Sequence, residues 1–332
     1  MNIIFFGSDD FAVVHLEALF GSKHKVCACV TQPDKARGRG MEVSASPVKA
    51  AASRKGIFVF QPADLNEKFF LRELDAFNAD LFVVIAYGRF LPAEILGMPR
   101  TLTINVHSSL LPKYRGAAPI NWAIINGERE TGITIMRVTA KMDAGDILAQ
   151  KKLKILKADT AASVRTRMME IGPRFLIKTI DSIEKGTCAF TVQDDQAATM
   201  APKLTRELGQ IQWSKPARAI NDLARGLLPW PGAHTYYQGK LLKILETEVV
   251  PRSFLLPKAE RLPAGGACRS YSPGEVAKVD KKGFTVATAD EGLLVKTVHL
   301  EASKPMSAYQ FMIGHRLEPG CNFNNQEIIT KK

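Results

Sequence analysis

The sequence of 332 residues contains no apolar run long enough to cross a membrane, which takes about 18 residues. Its longest strand-like apolar stretch, from Leu81 to Tyr87, is far shorter than that. The amino terminus also lacks basic residues before Lys23, whereas a secretory signal places them ahead of its apolar segment. We therefore expect a cytoplasmic protein.

Cysteine is scarce, and its spacing does not suggest a metal site. The chain has five cysteines, and the two nearest, Cys27 and Cys29, lie on the same predicted strand. No second pair of Cys or His residues follows at the spacing of a zinc site. The pattern predicts reduced thiols and no bound metal.

Two glycine-rich phosphate-binding motifs are missing as well. Gly7-Ser8-Asp9 follows a predicted strand and precedes a predicted helix, but the second and third glycines of G-x-G-x-x-G are absent. The sequence also has no G-x-x-x-x-G-K-[ST] motif. Both absences argue against nucleotide binding through these motifs.

Positive charge, in contrast, is in excess. Forty-five Lys and Arg residues stand against 33 Asp and Glu residues, a formal net charge of +12, and residues 203–332 alone carry +7. Hydrophobic residues make up 46% of the chain and charged residues 23%, as in ordinary globular proteins. The excess favours a polyanionic partner or an acidic substrate.

Strand and helix patterns alternate over the first half of the chain. Leu81–Tyr87 is apolar on both faces, which is typical of a strand covered by helices in a parallel sheet. A long helix from Thr160 to Lys185 is expected to be interrupted near Gly172-Pro173. The alternation predicts a Rossmann-like α/β fold, a mostly parallel sheet with helices on both faces. The other predicted elements are strands Asn2–Phe6, Val26–Thr31, Phe58–Phe60, Thr101–His107 and Ile133–Val138, and helices from Phe11 to Phe20 and from Pro119.

The pattern changes after a polar stretch from Gln193 to Thr205. A short helix, Ala217–Leu227, is followed by closely spaced strands with glycine-containing turns and no helices between them. These features predict a small all-β barrel or sandwich. We expect domains at residues 1–188 and 207–328, joined by a linker at 189–206. The predicted strands are Thr235–Gln238, Leu241–Thr247, Gly274–Val279, Phe284–Thr288 and Leu293–Leu300.

Asn105 and His107 stand out as candidate catalytic residues. They are two apart on a predicted strand, so both side chains project from the same face. They also lie at its carboxyl end, where open α/β sheets place their ligand sites. An amide can donate a hydrogen bond to an oxyanion, and an imidazole can move a proton or carry positive charge. The pair suits a reaction at a carbonyl carbon.

The twelve residues from Asn105 to Gly116 resemble the signature of the folate-dependent formyltransferases, N-x-H-x-S-L-L-P followed by Arg-Gly. The family's second element is an Asp in an L-D-x-G-like loop, and Asp143 fills that place within Lys141–Asp146. The resemblance runs from Ile3 to about Val298. Further matching segments are Thr31–Asp34, Gly38–Gly40, Ser46–Lys49, Ala86–Gly88, Gly116–Ile120 and Pro229–Gly232.

The resemblance implies transfer of the formyl group of 10-formyltetrahydrofolate to the α-amine of methionyl initiator tRNA by a monomeric enzyme without a metal. It implies Asn105, His107 and Asp143 as the catalytic residues. Asn105 and a protonated His107 would stabilise the tetrahedral oxyanion, and Asp143 would orient the imidazole. Either His107 or a water held by Asp143 could take the proton that the amine loses.

The resemblance also implies two binding regions. Its folate-contacting residues correspond to Ser109, Leu110, Leu111 and Pro112, together with Tyr87 and Gly88 at the end of a strand. Its tRNA-contacting loop corresponds to Lys35, Arg37 and Arg39, and the cations Lys203 and Arg206 would extend that track towards a C-terminal OB-like β-barrel that binds tRNA.

The sequence departs from the family pattern at Ser108, where a glycine is usual, and in the less acidic loop before Asp143. Both departures concern folate affinity rather than the reaction. The alternatives are a formyltransferase acting on a sugar-nucleotide amine or a purine precursor, a 10-formyltetrahydrofolate hydrolase, and a tRNA-binding module with a vestigial transferase domain. The basic C-terminal half and the basic loop favour the tRNA enzyme, and the intact trio argues against the binding module.

Overall fold

The computed structural model describes residues 1–37, 42–255 and 271–323, and the side chains of residues 35–37, 42 and 43 are not described. Arg39 of the predicted tRNA loop therefore lies outside the described residues. The chain divides into two compact units. The first comprises residues 1–120, 130–155 and 163–202, and the second comprises residues 121–129, 156–162 and 203–332.

The first unit is built on a seven-stranded sheet in the order β10-β9-β7-β6-β1-β2-β5. Strands β7, β6, β1, β2 and β5 run parallel, and at one edge β9 pairs antiparallel with β7 and β10 pairs antiparallel with β9. This mixed α/β architecture with a mostly parallel sheet confirms the predicted class. Up to residue 202 the strands are β1 (Asn2–Gly7), β2 (Lys25–Val30), β3 (Lys35–Arg37), β4 (Glu42–Ser44), β5 (Phe58–Phe60), β6 (Leu81–Ile85), β7 (Leu102–His107), β8 (Arg115–Gly116), β9 (Glu130–Arg137), β10 (Ile147–Lys154) and β11 (Met200–Ala201), and the helices are α1 (Asp10–Phe20), α2 (Pro47–Arg54), α3 (Lys68–Asp75), α4 (Ala93–Leu96), α5 (Pro119–Ile125) and α6 (Ala161–Glu184).

Burial on both faces explains the apolar central strands. Ile4 and Phe6 of β1 share a core cluster with Leu74 of α3, and the alternating residues Ile3 and Phe5 are equally buried on the opposite face. All five residues of β6 are buried. The hydrophobic effect therefore fixes the centre of the sheet and leaves polar residues for the strand ends.

Residues that flank helix α1 define its ends. The Asp9 carboxylate accepts a hydrogen bond of 3.0 Å from the Ala12 amide and caps the first turn, and Gly21 follows the last helical residue. The helix begins directly after β1, so its first turn lies beside the carboxyl ends of the parallel strands.

Helix α6 runs without a break from Ala161 to Glu184, so the predicted interruption near Gly172-Pro173 is wrong. A Cβ atom at position 172 would lie 2.5 Å from Nε2 of His15 and 3.2 Å from Cδ1 of Ile133. Gly172 therefore permits close packing of the helix rather than ending it. The contacts along this helix offset the hydrogen bond that Pro173 removes.

Strand β10 was not expected, because its sequence contains Lys151, Lys152 and Lys154. It lies at the edge of the sheet, where charged side chains can point into solvent and still leave the backbone paired with β9. The apolar periodicity from which strands are predicted is weakest in such an edge strand.

The second unit contains a six-stranded antiparallel sheet in the order β12-β13-β16-β15-β14, with β17 paired to β16. Its core includes Trp213, Phe284 and Phe311. This sheet confirms a C-terminal β domain, but β12 and β14 end the path of the described strands without pairing to each other. The elements are α7 (Ala217–Gly226), β12 (His234–Tyr237), β13 (Lys240–Val250), β14 (Val276–Asp280), β15 (Gly283–Ala287), β16 (Gly292–Leu300), β17 (Met306–Ser307) and α8 (Ala308–His315).

Helix α8 was missed although the sequence carries its signal. Ser307 and Gln310 form a capping box, with hydrogen bonds from the Gln310 amide to Ser307 Oγ and from the Ser307 amide to Gln310 Oε1.

Within the described residues, no helix combines the length and the apolar character that a membrane span requires.

The buried imidazole of His15 predicts acid sensitivity. Burial lowers the pKa of His15 from its usual 6.5 to about 4, and Nδ1 donates a hydrogen bond of 2.8 Å to the Phe11 carbonyl oxygen. As the pH falls below 6.5, the unfolded chain takes up the proton before the folded chain does, so stability is lost. We expect the free energy of unfolding to fall by about 2 kcal/mol between pH 6.5 and 5 from this residue alone.

The measurement is urea unfolding at both pH values. His15→Gln, which can still donate to the carbonyl, should remove this share of the pH dependence, whereas His299→Gln should retain it. An identical pH dependence in the wild type and His15→Gln would contradict the assignment to His15.

Candidate active site

A cavity of about 440 Å³ lies at the carboxyl ends of β6 and β7. Parallel α/β sheets bind their ligands at this edge, in the crevice formed by the loops that follow the carboxyl ends of the strands. Its lining includes all three residues of the predicted catalytic trio. Its lining also includes Phe11, Tyr87, Gly88, Ser108 and Gly116.

His107 is held at the end of β7 by a backbone carbonyl. Its Nε2 lies 2.9 Å from the carbonyl oxygen of Tyr114, and only 6% of the side chain is exposed. A carbonyl oxygen only accepts hydrogen bonds, so Nε2 carries a proton. The other nitrogen, Nδ1, lies 3.7 Å from Oδ2 of Asp143 and is the one left to exchange a proton.

Asp143 joins two loops to this imidazole. Its Oδ2 accepts a hydrogen bond of 2.8 Å from the Gly116 amide while facing His107. The residue has φ of +48°, a conformation that non-glycine residues adopt rarely. The structure therefore brings together residues 36 positions apart in sequence and holds the carboxylate in a strained backbone.

Asn105 lies beside this pair, one alternation earlier on the strand. Its backbone pairs with Val84 of β6 on one side and with Met136 of β9 on the other, so strands hold it on both sides. Its side chain makes no hydrogen bond to any residue in 1–37, 42–255 or 271–323. The amide is thus available to a ligand in the cavity.

The Arg115-Gly116 pair has a steric explanation. Strand β8, which contains both residues, pairs in parallel with β11. Gly116 has φ of +122°, and a Cβ there would lie 2.6 Å from the carbonyl oxygen of Ala201. Only glycine lets these backbones approach closely enough to direct the Gly116 amide at Asp143.

Tyr87 and Gly88, which the family resemblance implies as folate contacts, are among the residues that line the cavity. The Tyr87 carbonyl oxygen accepts hydrogen bonds from Gln32 Nε2 at 2.7 Å and from Ser8 Oγ at 3.3 Å. Its ring packs edge-on against Phe6 in the core. The turn after β6 is therefore fixed on three sides.

Ser109, Leu110, Leu111 and Pro112 follow His107, but they are not among the residues that line this cavity. Ser109 is fully buried, and its hydroxyl donates a hydrogen bond of 2.7 Å to the Lys113 carbonyl oxygen. The Leu111 amide donates one of 3.1 Å to Thr134 Oγ1. Ser108, which departs from the family pattern, lines the cavity instead.

The predicted tRNA-binding cations are described only in part. Lys35 and Arg37 lie on β3, which forms a two-stranded hairpin with β4. Lys203 and Arg206 are exposed in the second unit. No cluster of His, Cys, Asp and Glu able to hold a metal occurs in the part of the chain that the structure describes.

Sequence reasoning missed Gln193, which lies in the stretch expected to be a linker. Its Nε2 donates hydrogen bonds to the carbonyl oxygens of Asp143 at 2.9 Å and Gly145 at 2.7 Å. Its Oε1 accepts from the buried Arg115 side chain. A glutamine in a polar stretch has no periodicity or motif that marks this role, so only the tertiary contacts reveal it.

Two family models match the chain. The model described as formyl transferase matches residues 1–180, and the model described as formyl transferase, C-terminal domain, matches residues 203–316. A curated relative from Caldanaerobacter subterraneus subsp. tengcongensis, named methionyl-tRNA formyltransferase, is 44% identical over 321 residues. The match covers 96% of this chain and 99% of that protein.

Solved structures share the fold at lower identity. WlaRD, described as a sugar 3N-formyl transferase, has a TM-score of 0.64 at 16% identity, covering 92% of this chain and 99% of that one. HypX from Aquifex aeolicus in complex with tetrahydrofolic acid has a TM-score of 0.59 at 18% identity. That match covers 93% of this chain but 46% of HypX, so the chain spans about half of that protein's length.

The two family models follow one another along the chain, and the relative matches nearly its full length. The chain belongs to the formyl transferase family.

Proposed function

We propose that this chain transfers the formyl group of 10-formyltetrahydrofolate to the α-amine of methionyl initiator tRNA. The observation that carries the proposal is the arrangement of Asn105, His107 and Asp143 around one cavity at the end of β7. The full-length relative named methionyl-tRNA formyltransferase supports the choice of acceptor.

Asn105 stabilises the negative charge that develops on the formyl oxygen. When the amine nitrogen attacks the formyl carbon, a tetrahedral intermediate forms and its oxygen becomes an oxyanion. Asn105 lies on β7 and lines the cavity. Its side-chain amide forms no hydrogen bond with any residue that the structure describes. It therefore donates to the oxyanion without first giving up a partner in the protein.

His107 moves the proton. The attacking amine must lose one proton, and the N10 atom of the folate must gain one as the bond between N10 and the formyl carbon breaks. Nδ1 is the nitrogen that faces the cavity residue Asp143, because the Tyr114 carbonyl occupies Nε2. Nδ1 takes the proton from the amine and returns it to N10, so the number of protons on the enzyme is unchanged over the reaction.

Asp143 acts on the imidazole by orientation and charge. Its carboxylate, fixed by the Gly116 amide, faces Nδ1 at 3.7 Å. It stabilises the positive charge that appears on the ring while the proton is carried. The same negative charge keeps the ring from rotating away between the two proton transfers.

Folate occupies the cavity between the trio and the turn after β6. A volume of about 440 Å³ suits a small-molecule site, and Tyr87, Gly88 and Ser108 are part of its lining. Ser109, Leu110, Leu111 and Pro112 contribute by fixing the loop that carries Ser108, through the Ser109 and Leu111 hydrogen bonds. Direct contact of these four residues with folate stays a prediction.

The proposal assigns the chemistry and the binding of tRNA to different parts of the chain. The domain at residues 1–188 carries the chemistry, and the domain at 207–328, an OB-like barrel, binds tRNA together with Lys203 and Arg206 of the segment at 189–206. The net charge of +7 over residues 203–332 supports phosphate binding by this half. Lys35, Arg37 and Arg39 provide a second basic contact, and the enzyme acts as a cytoplasmic monomer.

A comparison of acceptors tests the proposal. Purified protein and 10-formyltetrahydrofolate are incubated with initiator methionyl-tRNA, with elongator methionyl-tRNA, with an amino-sugar nucleotide or with buffer alone, and formyl incorporation is measured. We expect rapid formylation of the initiator tRNA and little of the other acceptors. Preferred formylation of the sugar amine, or release of formate in buffer alone at the rate of turnover, would contradict the proposed acceptor.

Replacing His107 tests the mechanism. His107→Ala should lower kcat by roughly 10²–10⁴-fold, because both proton transfer and charge stabilisation are lost, while tRNA still binds. Single-turnover formylation at saturating tRNA and folate measures the change. His299→Ala is the matched control, because this imidazole also lies on a strand and bonds a carbonyl oxygen, that of Ser303, at 2.9 Å. Turnover of His107→Ala equal to that of the control would remove His107 from the mechanism.

A further inference from the structure

Residues 191–201, which we call the strap, form backbone hydrogen bonds to both loops of the site. The amide and carbonyl of Thr191 pair with those of Ile147, at 2.9 and 2.8 Å, just after the Asp143 loop. The carbonyl oxygens of Thr199 and Ala201 accept from the amides of Arg115 and Ala117, each at 2.8 Å. The strap is therefore fixed at both ends to the segments that carry Asp143 and Gly116.

Gln193 lies within the strap with its side chain buried, 8% exposed. Both amide hydrogens are used, since Nε2 donates to the carbonyl oxygens of Asp143 and Gly145. Oε1 accepts from Nε and Nη2 of Arg115 at 3.1 and 2.8 Å. Each polar group of the side chain thus meets a group of the opposite kind, and the amide cannot be reversed without placing oxygen against oxygen.

The contacts of Gln193 surround the strained residue of the site. Asp143 has a positive φ, and a residue in that conformation persists only where its surroundings hold it. Gln193 holds the carbonyl of Asp143 itself and the carbonyl two residues later, while the Gly116 amide holds the carboxylate. Backbone and side chain of Asp143 are therefore each held by a hydrogen bond from a different segment.

We propose that Gln193 is a positioning residue for formyl transfer, which sets the distance between the Asp143 carboxylate and His107 by holding the backbone carbonyls of Asp143 and Gly145. The inference rests on the proposed function, because it assigns Asp143 its role at the imidazole. It extends the functional site to a segment that sequence patterns mark only as a polar linker.

A nearly isosteric substitution separates the two halves of the Gln193 contact. In Gln193→Glu, the oxygen facing Arg115 is kept, but a second carboxylate oxygen replaces the amide that faces two carbonyl oxygens. Repulsion then displaces the Asp143 loop. Misplacement of a reacting group by about 1 Å costs about 10²-fold in rate, so we expect kcat to fall by roughly 10- to 100-fold with the KM values for folate and tRNA nearly unchanged.

A double-mutant cycle tests whether Gln193 acts through Asp143. Gln193→Glu should lower kcat in the wild-type background but have little further effect in an Asp143→Ala background. Gln196→Glu is the matched control, since it makes the same chemical change three residues away on an exposed side chain and should leave kcat unaltered. Thermal unfolding of each variant monitors the fold, and Gln193→Met, which removes the donor without adding charge, replaces Gln193→Glu if that variant unfolds.

The outcomes distinguish the inference from the proposed function. A wild-type kcat in Gln193→Glu would overturn the positioning role. An equal loss of kcat in the presence and absence of Asp143 would overturn it as well. The same two criteria apply to Gln193→Met if Gln193→Glu unfolds. A wild-type kcat in Asp143→Ala would instead overturn the proposed mechanism itself. Loss of kcat in Gln193→Glu that disappears in the Asp143→Ala background supports both.

Discussion

The geometry of the site depends on one carboxylate that faces two groups. Oδ2 of Asp143 accepts the Gly116 amide at 2.8 Å and faces Nδ1 of His107 at 3.7 Å, so one atom joins two loops to the end of β7. The strap also holds both loops through backbone hydrogen bonds, and the Asp143 carboxylate connects them to the imidazole. Removing the carboxylate would leave the Gly116 amide without this acceptor and the imidazole without a charged neighbour. The chemistry and the local fold therefore rest on the same contact.

Two of the catalytic residues lie on a strand, and the third lies on a loop with a strained backbone. Asn105 is paired on both sides, with β6 and β9, whereas His107 is paired with Thr134 of β9 and held at Nε2 by the Tyr114 carbonyl oxygen. Asp143 lies on a loop with a positive φ and takes its position from its neighbours. The strap and Gln193 meet that need by occupying the carbonyls around it. Gln193, which lies between the two matched family domains in sequence, is in this way part of the site.

The sequence predicted the features that depend on residues close to one another in the chain. The strand alternation placed Asn105 and His107 on one face, and the apolar periodicity from Phe11 to Phe20 located α1, because those signals lie within a few residues of each other. The helix break at Pro173 was wrong because the packing that tolerates it involves His15, far away in sequence. Gln193 was missed for the same reason, since its partners are 50 and 78 residues away. Contacts at such separations leave no periodic trace in a single sequence.

The central claim is that formyl transfer from folate to the amine takes place in the space between the side chains of Asn105 and His107. The most direct test is a crystal structure with a non-reactive folate analogue that carries a formyl-like group at N10. The account predicts that the oxygen of that group lies within about 2.7–3.1 Å of the Asn105 amide, with N10 on the side of His107. It also predicts that the 3.7 Å separation between Nδ1 and Asp143 is kept or shortened. An analogue bound elsewhere, or bound in the cavity with its N10 group directed away from all three side chains, would contradict it.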